Sequence, residues 1–343
     1  MPHPSMKDVA KQAGVSQSTV SRVLNDAPTA ISISEATRTR VLQAANELGY
    51  TPNPLARGLR GSRTGLLGLI VREIDDPFFA QLIDVLTLTT RERGYSIVLG
   101  HARSSSDEAL ALGDILDLRH CDGLFVLGDV QGDRTFLSRI VEINPHTVAF
   151  YSGEPTDIAA IVDVDNQKGI FLALDYLVGL GHRKIAFIEG GWIGATVQRL
   201  EAYLEYMRIH SVEVPEEYTA QVETNDASGG YRGMKALLTA PDPPTAVLAS
   251  DDAVAIGALK AAFDLGFQVP ADVSVVGFDD IEAASYTIPA LTTIRQPIEQ
   301  MAVKAVDTML GLLSEEISPD DIPTTLMEPE LVIRDSCALL GRV

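Results

Sequence analysis

The stretch Ala13–Asn25, "AGVSQSTVSRVLN", decides how this chain begins to fold. It is small, polar and hydroxyl-rich, yet Val15, Val20, Val23 and Leu24 recur at helical spacing. Ser16 is placed to cap a helix over 17–24, and Gly14 stands where a tight turn requires a positive φ. Upstream, "SMKD" opens another helix, with Ser5 as cap and Asp8 reaching back in a capping box that also suits the helix dipole. Two short helices joined by a turn containing Gly match the helix-turn-helix unit. A third helix, over 35–48, is capped by Ser34 and stopped by Gly49, and its Val41, Leu42, Ala45 and Leu48 are expected to close a small core over the other two.

With Val20, Val23 and Leu24 turned inward, Gln17, Ser18 and Arg22 point outward near the start of the second helix. In a helix-turn-helix such residues enter the DNA major groove, where Gln pairs with adenine, Arg with guanine and Ser with either. Ser16, Thr19, Ser21 and Asn25 lie on the flanks, where hydroxyls and backbone N–H groups meet phosphates. The competing reading is a capped surface helix whose polar face meets only water.

At 343 residues the chain exceeds what one hydrophobic core usually supports, so two or three domains are expected. No run approaches the roughly 18 uninterrupted apolar residues of a membrane helix, and "MPHPSMK" lacks the apolar core of a signal peptide, so no membrane partner and a cytoplasmic location are expected. The net charge of −20 disfavours nucleic acid as a partner until its distribution is read. Residues 1–63 hold eight Lys or Arg against four Asp or Glu, a net +4 that leaves −24 on the remainder. A basic head on an acidic body confines any phosphate contact to the head. Cys121 and Cys337 are too few and too distant for a disulfide framework or zinc site, and the six histidines show no metal-like clustering.

The runs "MKDVAKQAGVSQSTVSRVLN" and "SEATRTRVLQAANELGYTPNPLARGLR" resemble the head and hinge of lactose-repressor-type (LacI/GalR) transcription regulators, and the resemblance continues to "VVGFDD" and "PALTTIRQP", covering nearly the whole chain. Within "YTPNPLARGLRGSRT", Asn53 suits an N-cap and Pro54 the first helical position. The helix that follows spans barely two turns and contains Gly58, so it is expected to fray when free and form when bound. The resemblance implies that paired hinge helices of a dimer enter the minor groove through Asn53, Ala56 and Arg57, with Leu59 as the apolar wedge that kinks the duplex. The rival reading is a flexible linker with an incidental leucine.

From Gly65 onward, short apolar runs alternate with helical stretches. "LLGLIV", "YSIVLG", "GLFVLG" and "TVAFY", then "AAIVDV", "KIAFIE", "TAVLAS" and "VSVVGFD", read as two series of buried parallel strands. The expected organisation is an all-α helix-turn-helix head at 1–52, a hinge at 53–63 and an α/β core at 64–343. The resemblance implies a two-lobed core like the type I periplasmic binding proteins, crossed three times by the chain. The first lobe is placed at about 64–162 and 292–322, the second at about 163–291 and 323–343. Ligands in open α/β sheets bind beyond the carboxyl ends of the strands, and pockets favour domain interfaces.

Candidate effector contacts follow from those strand ends. "DDPFF" offers Asp76, Phe78 and Phe79, whose rings suit stacking on a sugar or base or, alternatively, packing of a helix start. Trp192 admits both a cleft and a packing role. Arg199 matches the family's ligand-contacting arginine, and Asp252 and Asp279 match acidic positions that hold ligand hydroxyls in relatives; both aspartates also fit helix caps. Asn225 lies where several relatives carry an aromatic, and Ile193 and Ala195 depart from the polar residues of purine-sensing members, which favours a sugar or sugar derivative over a nucleobase. His182, in "GLGHRKIAF", reads as structural.

No GxGxxG, Walker-type or GxSxG motif occurs, so neither catalytic residues nor a cofactor is expected. A transport sugar-binding protein would share the body but has no use for a basic head. The resemblance therefore implies a homodimeric repressor reading a pseudo-palindromic double-stranded operator under control of a small carbohydrate effector, or an activator using the same head. The C-terminal run "LVIRDSCALLGRV" carries no leucine heptad for a tetramer-forming coil.

Overall fold

The computed structural model describes residues 4–24, 33–50, 63–101, 121–128, 136–150, 158–191, 194–318 and 322–341. The chain divides into two compact units, Met1–Thr64 and Gly65–Val343.

In the first unit, α1 (Met6–Ala13), α2 (Gln17–Leu24) and α3 (Glu35–Leu48) lie where the caps and breakers put them. Ser5 donates both its N–H (2.9 Å) and its hydroxyl (2.6 Å) to Asp8 Oδ2. Lysines 7 and 11 add to these bonds in holding the Asp8 carboxyl below the usual range. Thr19 N donates to Ser16 Oγ at 3.2 Å, and Thr37 N to Ser34 Oγ at 3.3 Å, so both helices begin on hydroxyl caps. Gly14 and Gly49 close α1 and α3 with φ of 67° and 64°. Val9, Val20, Val23, Val41, Ala44 and Ala45 are buried in one cluster. Leu42 departs from expectation: its side chain faces solvent at 47% exposure, and Ala44 takes the core position.

The second unit contains two six-stranded sheets among the described residues. Strands β1 (Leu66–Val71), β2 (Ser96–His101), β3 (Gly123–Leu127), β4 (Thr147–Phe150) and β5 (Ala160–Val164) form one sheet with the later β11 (Thr324–Met327), in the order β11-β5-β4-β3-β1-β2. Strands β6 (Ile185–Gly190), β7 (Thr219–Val222), β8 (Ala246–Ala249), β9 (Ser274–Asp279) and β10 (Thr292–Arg295) form the other with β12 (Glu330–Val332), in the order β12-β10-β9-β8-β6-β7. All pairings are parallel except β10 with β12. Helices α4 (Pro77–Glu92), α5 (Phe136–Ile143) and α10 (Ile298–Leu313) belong to the first lobe. Helices α6 (Asn166–Gly179), α7 (Gly194–Ile209), α8 (Ala227–Leu238) and α9 (Asp252–Asp264) belong to the second. Helices on both faces explain the continuous apolar strands: in β1, Leu67, Leu69 and Val71 enter one core cluster while Ile70 enters the opposite one.

The sheets correct two expected lobe boundaries. Residues 292–295 pair with β9 in the second lobe, and residues 324–327 pair with β5 in the first. The chain therefore crosses at 165, at 296–297 and at 328–329. A strand is assigned to a lobe by its partners, and these two short strands look alike in sequence. Beside the crossings, Lys168 at the start of α6 pairs with Glu328.

Candidate functional site

On α2, Gln17 and Ser18 are exposed, and Arg22 is half-buried on the same helix. Ser16 Oγ lies 2.7 Å from Ser18 Oγ and 2.8 Å from Thr19 Oγ1, so the cap, one expected base-reading residue and one expected phosphate contact share a hydroxyl chain. Thr19 and Ser21 are half-buried. Asn25 and the hinge residues Asn53, Ala56, Arg57 and Leu59 lie outside the described residues, as does Trp192.

The cleft between the lobes gathers side chains from every strand end that borders it. From the first lobe come Arg72, Glu73, Asp76, Phe78, Phe79, Phe150 and Asp163; from the second come Thr196, Arg199, Asn225, Asp251 and Asp279; Gln296 lies on a crossing. The space between these side chains, open solvent included, is about 730 Å³.

Asp76 caps α4, its Oδ1 accepting from Phe78 N at 2.7 Å and Phe79 N at 3.2 Å, with Pro77 at the first helical position. The two rings meet at 5.5 Å between centroids. Phe78 and Phe79 both line the cleft while packing on the core. Asp251 caps α9 through Val254 N at 2.8 Å. Asp279 ends β9 with φ of 116° and is followed by Asp280 at 60°, two non-glycine residues in the left-handed region. Such conformations cost roughly 1–3 kcal/mol each and persist where surroundings fix them. Gln296 Nε2 donates to Asp279 Oδ1 at 2.7 Å, and Asp280 receives Arg295 Nε at 2.7 Å and Arg334 at 2.5 Å.

Arg199 is more deeply committed than a ligand clamp needs to be. It is 4% exposed. Its Nε donates to Asn166 Oδ1 at 2.8 Å and its NH1 to the Ser250 carbonyl at 2.7 Å, with Asp279 Oδ1 at 3.4 Å. The guanidinium lies 3.6 Å over the Phe278 ring. Asn225 reaches the same floor because Gly190 has no side chain: a Cβ there would fall 1.9 Å from Asn225 Oδ1.

Asp252 is the expected contact that the structure moves. Fully buried, it accepts from Ile281 N at 2.9 Å and Thr293 Oγ1 at 2.5 Å, tying α9 to the segments around β9 and β10. It neither lines the cleft nor caps the helix; Asp251, one residue earlier, does both. Sequence reasoning also passed over Asp163 and Gln296. Asp163 was legible as the one acid inside "AIVDV", whereas Gln296 shows its role only through the crossing.

Burial governs the acids here. It pushes Asp251 up to about 7, aided by the charge of Asp76 and opposed by Arg199. Asp76 is raised by burial against its backbone hydrogen bonds, and Asp279 by burial against Arg199. His182 is structural as expected, with ring nitrogens 3.0 Å from Thr245 Oγ1 and Ser274 Oγ. Among the described residues no group of three or more His, Cys, Asp or Glu is arranged to hold a metal, and no helix is long and apolar enough to cross a membrane.

Two family models match, "Bacterial regulatory proteins, lacI family" over residues 5–53 and "Periplasmic binding protein-like domain" over 174–337. The chain is 34% identical to the probable HTH-type transcriptional repressor ExuR of Bacillus subtilis, covering 97% of this chain and 98% of that one. It is 33% identical to the HTH-type transcriptional repressor PurR of Escherichia coli O139:H28, with 97% of each covered. Among solved structures, a Lac repressor dimer bound to operator and the anti-inducer ONPF superposes with a TM-score of 0.85 at 28% identity, covering 98% of this chain and 99% of that one. A complex of the transcriptional regulator CelR with cellobiose gives 0.73 at 32% identity, covering 97% and 99%. The chain belongs to the LacI family of bacterial regulatory proteins.

Proposed function

We propose that this chain is a sequence-specific DNA-binding repressor, active as a homodimer in the cytoplasm, whose operator affinity is set by a small hydroxylated effector of the sugar class held between the lobes. The observation that carries the reading is the pairing, in one chain, of an exposed Gln17–Ser18 edge on a helix-turn-helix with a two-lobed cleft. Gln17, Ser18 and Arg22 read bases, while Ser16, Thr19, Ser21 and Asn25 meet phosphates. Asn53, Ala56, Arg57 and Leu59 act in the minor groove. Asp76, Phe78, Phe79, Trp192, Arg199, Asn225 and Asp279 serve the effector, joined by Asp251 in place of Asp252. Support comes from the operator-bound Lac repressor dimer and from the cellobiose complex of CelR. Its relatives are repressors rather than enzymes.

The test is selection of genomic fragments by the full-length protein, with sequencing of what is retained. A shared pseudo-palindrome is expected, because one short helix reads too few bases and a two-fold dimer presents two. Retention without sequence preference would refute the assignment.

A further inference from the structure

The cleft wall carries a pronounced excess of one charge. Among its described lining residues, Glu73, Asp76, Asp163, Asp251 and Asp279 stand against two cations, Arg72 and Arg199. Arg199 is already engaged by Asn166, the Ser250 carbonyl and Asp279, with its flat face on Phe278. Among the described residues, the donors recorded for Asp76 and Asp279 all reach Oδ1, which leaves each Oδ2 for a donor from elsewhere. Behind the wall, Asp75 adds further negative charge to Asp76.

Resting on the effector reading above, we propose that the effector is a protonated amine on a hydroxylated framework, such as an amino sugar, and that the cleft rejects sugar acids and sugar phosphates.

An anion would enter a site whose carboxylates already repel one another, and would find the deeply placed Arg199 guanidinium in use. A neutral polyol would fill hydroxyl positions and leave that repulsion standing. An ammonium relieves it, brings donors to Oδ2 of Asp76 and Oδ2 of Asp279, and suits the rings of Phe78 and Phe79. The upward displacement of Asp76, Asp251 and Asp279 fits the same picture. Protons held on these acids limit their mutual repulsion, and an ammonium displaces them. Its binding therefore releases protons near neutral pH, which a neutral sugar's binding does not.

The experiment uses the intact full-length protein and matched sets of glucose, galactose and mannose, each as parent sugar, 2-amino sugar, uronic acid and 6-phosphate. Binding is read at about pH 7 by thermal shift and calorimetry in two buffers of different ionisation enthalpy. In at least one set the amino member is expected to bind about tenfold or more tighter than its parent, a Coulombic margin reasonable for a partly buried pair, with net proton release. Asp251→Asn is expected to erase that margin. Tighter binding of a uronate or phosphate, equal affinity of amine and parent, no binding by any amine, or an unchanged margin in Asp251→Asn would each overturn the proposal. Operator affinity measured with the same compounds separates the two readings. An acid that binds and shifts operator affinity sinks the charge assignment alone; an amine that binds without shifting it sinks the regulatory one.

Discussion

Asp251 and Asp252 are neighbours with different work, and the difference predicts a pH effect. Asp252 has no access to solvent and its carboxyl is pushed up to about 8 by burial, against an ordinary 3.8. A raised carboxyl means the folded state holds a proton that the unfolded state gives up. Its contribution is therefore complete below about pH 4 and lost as pH rises through about 8. His182, lowered by burial, works in the opposite sense: its contribution is present above 6.5 and lost as pH falls. Above about pH 6.5 the aspartates govern, so denaturation midpoints should decline toward about pH 8, and Asp252→Asn should flatten that decline. A slope unchanged in the variant would remove Asp252 as its source. This distinction was not legible in "SDDAVAIG", where both aspartates suit a helix start. Only the tertiary partners, Thr293 and Ile281, separate the core acid from the cleft acid. Arg199, by contrast, was legible as a cleft residue but not as a structural one. Removing it would strand buried acids, so Arg199→Ala is expected to cost about 3–5 kcal/mol of stability, measurable by denaturant unfolding.

Among the elements, the head was the most readable part. Caps at Ser5, Ser16 and Ser34 and stops at Gly14 and Gly49 are local chemistry, and local chemistry is written in sequence. Arg22→Ala on α2 is expected to weaken operator binding by about 1–3 kcal/mol and relax base choice at one position, checked by competition with single-base operator variants. Helices α8 and α9 fall where helical stretches were expected between strands, but the closeness of their packing was not legible. A Cβ on Gly230 would lie 1.9 Å from the Val254 carbonyl oxygen, and one on Gly257 would lie 1.9 Å from that of Ala227. Backbone faces backbone there, so no side chain can yield. Gly257→Ala should therefore destabilise the core by about 1–3 kcal/mol or more, read as a lowered unfolding midpoint with the head's helices unaffected.

At the scale of the whole molecule, the chain's three crossings bring the cleft residues together. Two lobes were legible from two series of buried strands, yet the places where the chain returns were not. Strands β10 and β11 are four residues each, and their pairing partners lie far away in sequence. Gln296, on a crossing, holds Asp279 of the second lobe, while Lys168 and Glu328 pair beside two other crossings. A ligand that bridges the lobes is thus placed to favour one arrangement of them over another, and its differential affinity sets how far DNA binding can move. The most direct measurement is operator affinity of the full-length protein, by fluorescence anisotropy, across a titration of a compound shown calorimetrically to bind the cleft. The account predicts a saturable shift of about 5–150-fold. Operator affinity that stays constant while the cleft fills would contradict it.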